Sequence, residues 1–203
     1  MVILFSLGLL AILLLPAIGA AARKRCKIHC MNQLKEMGLG FRVWEGDHED
    51  RYPMNISVTN GGVMELPAQE KAESIFQAMS NELANPGILV CPADKNRWPA
   101  SGFSHLTSSN INYFVNVDAS ESNPQDIMLG DDNLEINGVR VKSGLLIISN
   151  GMSFRWTADR HGRCGNLGMA DGSVQSASNS GLSAYASNST PLGMAADLRL
   201  AIP

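Results

Sequence analysis

The sequence predicts an α+β protein in which one long N-terminal helix carries a head built mainly from strands. Residues 2–22 contain no charged side chain, and Ser6 is their only polar side chain. Apolar residues then recur at three- to four-residue spacing as far as Trp44, which is the period of a helix with one apolar face. Beyond residue 110, short apolar runs alternate with turn residues, a pattern typical of an antiparallel sheet.

Residues 1–22 form an apolar segment that is long enough to cross a membrane. A helix over residues 2–22, at about 1.5 Å per residue, spans roughly 30 Å, the thickness of the hydrocarbon core of a bilayer. Pro16 removes a backbone hydrogen bond inside this helix and is expected to kink it. The segment is therefore predicted to be a membrane anchor or an assembly helix. A cleaved secretory signal, with its cleavage site among Ala20–Ala22, and a buried core helix are the alternatives.

The helix is predicted to continue through residues 23–46 as an amphipathic segment. It begins with a basic run at residues 23–27, which would lie at lipid head groups. The predicted apolar face consists of Ile28, Met31, Leu34, Phe41 and Trp44, with Met37 close to it. Polar and charged residues occupy the opposite face, and Gly38 and Gly40 weaken the end of the helix.

The head, residues 47–203, is predicted to contain a second helix and several strands. The helix covers residues 68–84 and ends at Asn85-Pro86-Gly87. The predicted strands cover residues 88–91, 111–117, 126–130 and 144–149.

Asp171-Gly172 is the strongest hairpin signal in the chain. It stands between two alternating runs, at residues 166–170 and 173–178, and both central positions of such a turn favour positive φ. The Ser-rich stretch at residues 176–189 is predicted to be a surface loop, and a short terminal helix is predicted from Thr190 onward.

Composition limits the classes of function. The 203 residues leave enough chain beyond the apolar segment for one domain with a hydrophobic core. The net charge of −3 gives no support for nucleic-acid binding, and lipid explains the basic run beside the apolar segment better than a polynucleotide does. The four cysteines lack the paired spacing of a structural zinc site, so disulfides are their predicted use if the head is extracytoplasmic.

Three short blocks in the first half of the chain have a characteristic order. The first is Leu-Leu-Leu-Pro-Ala at residues 13–17, inside the apolar segment. The second is Cys-Met-Asn-Gln-Leu-Lys-Glu-Met-Gly at residues 30–38, and the third is Cys-Pro-Ala-Asp at residues 91–94.

Further blocks follow in the head, at Asn112-Tyr113 and at Leu129-Gly130-Asp131. The most specific one is His161, which nine residues separate from Asp171-Gly172. In this order and spacing, the blocks resemble a type IV pilin-like family of bacteria that has a prepilin-type N-terminus and a C-terminal H-X9-DG motif. The family counterparts of the two cysteine blocks are Cys-x-Asn-Asn-Leu-Lys-Gln-Leu-Gly and Cys-Pro-Ser-Asp. The resemblance covers nearly the whole chain.

The resemblance implies a pilin-like fold, in which the apolar half of the helix protrudes and the other half packs on a small antiparallel sheet. It implies a structural subunit, not an enzyme, of a type IV pilus-like or secretion pseudopilus filament. The partners would be copies of the chain in a helical filament, other pilin-like subunits, the inner-membrane assembly machinery and, before assembly, membrane lipid. The location would be the inner membrane with an extracytoplasmic head, or a periplasmic or extracellular filament. The alternative is a membrane-anchored extracytoplasmic binding module that does not polymerise.

The start of the sequence departs from the family pattern. Family members begin with a basic leader, a cleavage-site glycine and Phe-Thr-Leu-Ile-Glu, and alignment of Pro16 with the family's proline starts this sequence several residues inside the mature helix. A truncated start and an unprocessed member are the two alternatives. By the positive-inside rule, the basic run at residues 23–27 favours a cytoplasmic head, which opposes the family's orientation.

His161 and Asp171 invite a catalytic or metal-binding interpretation, but no nucleophile or third ligand accompanies them in the sequence. A metal-dependent hydrolase is therefore the least favoured function. We expect Asp171-Gly172 to form the turn of the hairpin region, residues 161–178, and His161 to hydrogen-bond the loop before the hairpin.

Asp131 and Asp132 begin an acidic turn of the kind that binds Ca²⁺ through oxygen ligands. Type II secretion pseudopilins of the implied fold class hold calcium in a C-terminal loop, although this turn does not match that site residue by residue. A solvated turn without an ion is the default expectation, calcium is the alternative, and no other cofactor is predicted.

The resemblance also orders the possible disulfides. Cys30 and Cys91 lie in the two family blocks, so their pairing is expected first, and Cys26–Cys164 is expected second. Four cysteines allow three connectivities, and Cys26 and Cys30, one helical turn apart, are poorly placed to bond to each other. Free buried thiols are the remaining alternative.

Overall fold

The computed structural model describes residues 27–66, 72–149, 152–189 and 197–203. Within these ranges the chain has an α+β fold, in which helix α1 (27–46) packs on a six-stranded antiparallel sheet and a small three-stranded sheet lies beside it. The predicted class is thereby confirmed. The apolar segment with Pro16 lies outside the described residues. None of the helices within the described ranges has the length and apolar character needed to cross a bilayer.

Helix α1 is amphipathic, and its buried face follows a rhythm of three and four residues. That face consists of Cys30, Leu34, Met37, Phe41 and Trp44, all in the larger hydrophobic core. The sequence predicts Ile28 on the same face, but Ile28 is exposed and Cys30 contacts the core instead. Leu39 and Val43 are also exposed on α1.

Short helices fill the segment between α1 and the first strand. Helix α2 covers Glu73–Ala78 and α3 covers Ser80–Leu83. The single helix predicted over residues 68–84 is thus interrupted at Met79, where a ψ of 21° leaves the helical range. Residues 67–71 lie outside the described ranges. Single turns of 3-10 helix cover Pro53–Asn55, Val58–Asn60, Pro86–Leu89, Phe103–His105 and Ser108–Asn110.

The strand predicted at residues 88–91 is wrong, because Pro86–Leu89 is a 3-10 turn. Proline at the first position of the turn holds φ in the helical range and lacks the N–H that a strand would contribute. Asn85 caps the turn, since its side-chain oxygen accepts a hydrogen bond from Gly87 N at 2.8 Å. Asn112 N then donates to Leu89 O at 2.8 Å, so this segment docks near the start of the first strand without joining a sheet.

Nine described strands form two antiparallel sheets. They are β1 Tyr113–Asn116, β2 Ile127–Asp131, β3 Leu134–Ile136, β4 Val139–Arg140, β5 Gly144–Ile148, β6 Phe154–Trp156, β7 Cys164–Met169, β8 Val174–Ser178 and β9 Leu198–Ile202. The larger sheet has the order β5-β9-β1-β2-β7-β8, and the smaller one has the order β4-β3-β6. Strands β1, β2 and β5 correspond to those predicted at residues 111–117, 126–130 and 144–149.

The six-stranded sheet separates two hydrophobic cores, because successive side chains of a strand point to opposite faces. On β1, Tyr113 and Val115 belong to the core under α1, whereas Phe114 belongs to the core on the other face. The smaller sheet and helix α4 (Asn179–Asn188) cover this second core and bury Trp156 and Leu182 in it.

The described part of the C-terminal region differs from the predictions in two places. Residues 176–189 contain the end of β8 and all of α4 instead of a surface loop. Ser178 caps α4 by accepting a hydrogen bond from Gly181 N at 3.3 Å, and Leu182 anchors the helix in the core. At residues 197–203, strand β9 replaces the expected terminal helix and lies between β5 and β1. Residues 190–196 lie outside the described ranges.

Candidate functional site

A disulfide joins α1 to the segment that precedes the first strand. The Cα atoms of Cys30 and Cys91 are 5.6 Å apart, and both residues are fully buried. This is the first of the expected pairings. Cys164, which belongs to the second expected pairing, is a free thiol. Cys26 itself lies outside the described residues.

His161 lies directly against this disulfide. Its Nε2 is 3.4 Å from Cys91 Sγ and 3.7 Å from Asp131 Oδ2, and its side chain is 2% exposed. The partners of His161 are thus the disulfide and the end of β2, and not the loop before the hairpin as the sequence predicts. Burial lowers the pKa of His161 to about 4, and the charges of Arg160 and Lys27 act in the same direction. The imidazole is therefore neutral at pH 7 and keeps one nitrogen lone pair.

Asp131 ends β2, and its carboxyl group is fully buried. Its Oδ2 accepts hydrogen bonds from the backbone N and the side-chain Nδ2 of Asn166, at 2.7 and 3.0 Å. Its Oδ1 has no hydrogen-bond partner within the described part of the chain. Burial raises the pKa of Asp131 to about 6, although Arg160 and Asn166 oppose this shift. The Oδ1 atom is therefore an available acceptor or ligand atom in a buried position.

A buried ion cluster adjoins Asp131. Arg160 binds Oδ1 of the Asp132 carboxylate, and Arg97 binds Oδ2. The side chains of Arg160 and Asp132 are 4% and 6% exposed, whereas that of Arg97 is 25% exposed. Burial alone would lower the pKa of Arg160, but the carboxylates of Asp132 and Asp131 raise it. The guanidinium of Arg160 therefore stays charged inside the protein.

The acidic turn is thus buried, and the default expectation of a solvated turn is wrong. Ca²⁺ takes about six to eight oxygen ligands. Both oxygens of Asp132 already accept from guanidinium groups, and Asp131 Oδ2 accepts from Asn166. The donor set around Asp131 and Asp132 therefore does not fit the calcium alternative.

Asn112 and Tyr113 connect the disulfide with the larger sheet and with α1. Asn112 Oδ1 accepts from Cys91 N at 3.0 Å, and its Nδ2 donates to Asp94 at 2.7 Å. The Tyr113 hydroxyl donates to Gln33 Oε1 at 2.8 Å, and Gln33 Nε2 donates at 2.9 Å to the backbone carbonyl just before Cys91. These bonds fix the positions of α1, of the segment that contains Cys91 and of β1 relative to one another.

Strand pairing explains why His161 and Asn166 reach Asp131. Strands β2 and β7 are antiparallel neighbours with Gly130 opposite Leu167, which puts Asn166 beside Asp131. His161 lies in the loop that leads into β7. Positive φ values of 65° at Gly162 and 61° at Arg163 turn the chain there. The loop therefore directs His161 back toward the disulfide.

Asp171 and Gly172 form the turn between β7 and β8. Gly172 has a φ of 82°, and Asp171 Oδ1 accepts from Ser173 N at 2.8 Å. Asp171 is exposed, whereas the ring of His161 is buried against the disulfide. The two ends of the H-X9-DG motif therefore belong to separate structural features, and the acid beside His161 is Asp131.

The site brings together four side chains that can each offer a ligand atom, and these atoms lie within 4.8 Å of one another. They belong to Cys30, Cys91, Asp131 and His161. Such a buried set can hold a metal ion or a proton, but a disulfide offers no thiolate nucleophile and burial keeps a substrate away from the His–Asp pair.

Sequence reasoning missed this cluster, and it missed Arg97 and Asn166 as members of the site. Their partners are distant in sequence, so no local spacing marks them. The available signal was that four of the six sequence blocks named above each contain one member of the cluster. Comparisons of the chain with protein-family models, with curated proteins and with solved structures found no match.

Proposed function

We propose that the chain is a structural subunit of a type IV pilus-like or secretion pseudopilus filament, with a pilin-like fold. Residues 2–22 would pack against the same segment of neighbouring copies, after residing in membrane lipid before assembly. The inner-membrane assembly machinery and other pilin-like subunits would be its partners. The observation that carries the proposal is a stripe of exposed apolar side chains on α1, the helix that follows the apolar segment.

The stripe consists of Ile28, Leu39 and Val43, which are 48%, 64% and 49% exposed, with the exposed polar Asn32 between Ile28 and Leu39. With about 3.6 residues per turn, these positions fall within about 60° of one another around the helix axis. Burying such side chains against another copy removes apolar surface from water, which favours association. A neighbouring subunit in a filament would cover both this stripe and the uncharged residues 2–22.

Electron microscopy of filaments tests the proposal. Material sheared from cells that express the native locus is labelled with an antibody to the head. Labelled thin fibres are expected from the wild type, and deletion of residues 2–16 should abolish them. Label confined to membranes in wild-type cells would contradict the proposal.

A matched pair of substitutions tests the stripe itself. Val43→Asp introduces a charge on α1, and Val139→Asp introduces the same charge on β4, where Val139 is 68% exposed. Fibres should be lost only with Val43→Asp, while both heads unfold at the wild-type urea midpoint because neither valine is buried. Equal effects of the two variants on fibre formation would count against α1 as the contact surface.

A second candidate function is that of a membrane-anchored binding module that does not polymerise. A cavity beside the smaller sheet favours it, because Arg140, Arg155 and Arg163 line this cavity. Arg140 pairs with Asp159, whereas Arg155 and Arg163 are exposed and suited to an anionic ligand. Absence of fibres, together with phosphate binding that Arg155→Ala abolishes, would favour this candidate over the filament subunit.

A further inference from the structure

We propose that the dithiol form of the protein binds one Zn²⁺ ion through Cys30, Cys91, Asp131 and His161, as an alternative to the disulfide. Zinc–ligand bonds of about 2.0–2.3 Å hold four ligand atoms about 3.3–3.8 Å apart in a tetrahedron. His161 Nε2 is 3.4 Å from Cys91 Sγ, so one edge of such a tetrahedron already exists. The same nitrogen is 3.7 Å from Oδ2 of Asp131, which places the carboxyl group that carries the unpartnered Oδ1 beside it. This site does not depend on the filament role proposed above.

The donor atoms suit zinc. Two thiolates, one imidazole and one carboxylate form a mixed set of sulfur, nitrogen and oxygen ligands, which Zn²⁺ accepts in closed four-coordinate sites. The ligands come from α1, from the segment before β1, from the end of β2 and from the loop before β7. The fold therefore assembles them without the paired cysteine spacing whose absence argued against a metal in the sequence.

Asp131 and His161 are prepared for this role by their surroundings. Oδ1 of Asp131 is buried and has no partner among the described residues, while Asn166 donates two hydrogen bonds to Oδ2. Such outer hydrogen bonds orient ligating carboxylates at metal sites. Nε2 of His161 faces both Cys91 and Asp131.

Zinc would leave the buried charge balance unchanged. A Zn²⁺ ion with two thiolates has no net charge, and neither has the disulfide that it replaces. Asp131 and Asp132 therefore remain balanced by Arg160 and Arg97 in both forms. A buried site with a net charge would carry a large desolvation cost, and this site avoids it.

The chemistry of the two forms balances without an added reductant. The newly made chain has both cysteines as thiols, and Zn²⁺ binding breaks two S–H bonds, forms two Zn–S bonds and releases two protons. Disulfide formation instead removes two electrons and two protons, which a disulfide oxidant accepts. The forms exclude each other, because the sulfurs of a disulfide have no thiolate charge for the metal.

Cobalt titration tests the proposal, with Co²⁺ as the spectroscopic probe. The full chain is purified in detergent, reduced with a phosphine and titrated. One Co²⁺ per chain is expected, with the visible bands of four-coordinate cobalt and a near-ultraviolet thiolate band, and Zn²⁺ should displace it. The oxidised chain should produce neither band.

The variants identify the thiolate ligands. Cys91→Ala should lose about half of the thiolate band, because one of the two thiolate ligands remains. The matched variants Cys164→Ala and Cys26→Ala should retain the whole band.

Two further measurements separate metal binding from misfolding of a variant. In the reduced wild type, Zn²⁺ should protect Cys30 and Cys91 from alkylation and leave the rate at Cys164 unchanged. Asn166→Ala, which removes the donors to Asp131, should weaken Zn²⁺ binding by about 10- to 100-fold. The proposal is overturned if the reduced chain binds no Co²⁺, if the bound cobalt is six-coordinate, or if Cys91→Ala keeps the full thiolate band.

Discussion

Replacement of Asp132 by asparagine should destabilise the head by about 3–5 kcal/mol, because it removes the carboxylate that binds the buried guanidinium of Arg160 directly. Asparagine has the size of aspartate, so the variant creates no cavity. The Arg160 side chain is 4% exposed and cannot turn to water. The Arg97 side chain, which is 25% exposed, can do so. The cost therefore arises mainly at Arg160.

A double-mutant cycle isolates this pair. Coupling of Asp132→Asn with Arg160→Met should amount to about 2–3 kcal/mol. Asp132→Asn removes the carboxylate that binds Arg160 directly, Arg160→Met leaves Asp132 with Arg97 alone, and the double variant has neither buried charge of this pair. Coupling of Asp132→Asn with Arg97→Met should stay below about 1 kcal/mol, the range of partly exposed ion pairs. The second cycle is the matched control, since it removes an arginine from the same carboxylate.

Urea unfolding of the full chain in detergent measures these energies. Tryptophan fluorescence reports the transition, because Trp156 is buried in the second core and Trp44, on α1, is buried in the larger core. The disulfide stays oxidised in every variant, and mass spectrometry checks this. A cost of less than about 1 kcal/mol for Asp132→Asn, or equal coupling to both arginines, would refute the reasoning.

Two further predictions concern Asp126 and Gly165. Burial raises the pKa of Asp126 from 3.8 to about 6, so the folded form holds a proton that the unfolded form has lost, and stability falls as pH rises through this window. In urea titrations, Asp126→Asn should therefore be about 1–2 kcal/mol more stable than the wild type at pH 8. Below pH 4 the two proteins should be equally stable. Equal stability at pH 8 would contradict this prediction. A Cβ at Gly165 would lie 2.7 Å from a buried indole ring, so Gly165→Ala should cost about 1–3 kcal/mol in thermal unfolding. Gly46→Ala, with no atom within 4 Å of the new Cβ, is its control, and equal losses for both variants would argue against the packing explanation.

Features that depend on neighbouring residues could be predicted from the sequence. The amphipathic face of α1 follows from apolar spacing, and the β7–β8 hairpin follows from Asp171-Gly172. The 3-10 turn at Pro86–Leu89 was missed because the apolar run Ile88–Cys91 outweighed the proline before it. Helix α4 was missed because its polar composition hides the one buried side chain, Leu182, that anchors it.

The site could not be predicted in the same way. Its ligand atoms come from positions 30, 91, 131 and 161, and they meet only after α1 docks on the sheet and β2 pairs with β7. Asp132 looked like part of a solvated turn because the two arginines that bind it lie 28 and 35 positions away in the sequence. Pairing at that distance is decided by the tertiary fold and leaves no local pattern.

The disulfide also determines how the head would transmit tension. Cys30 lies in the first turn of α1, so a force applied at the N-terminal end of this helix reaches the head through a covalent bond. From Cys91 it passes to Asn112 and into the larger sheet through backbone and side-chain hydrogen bonds. The contacts that Leu34, Phe41 and Trp44 make further along α1 are sheltered from that force. Helix and sheet are thereby coupled mechanically at the point where the helix enters the head.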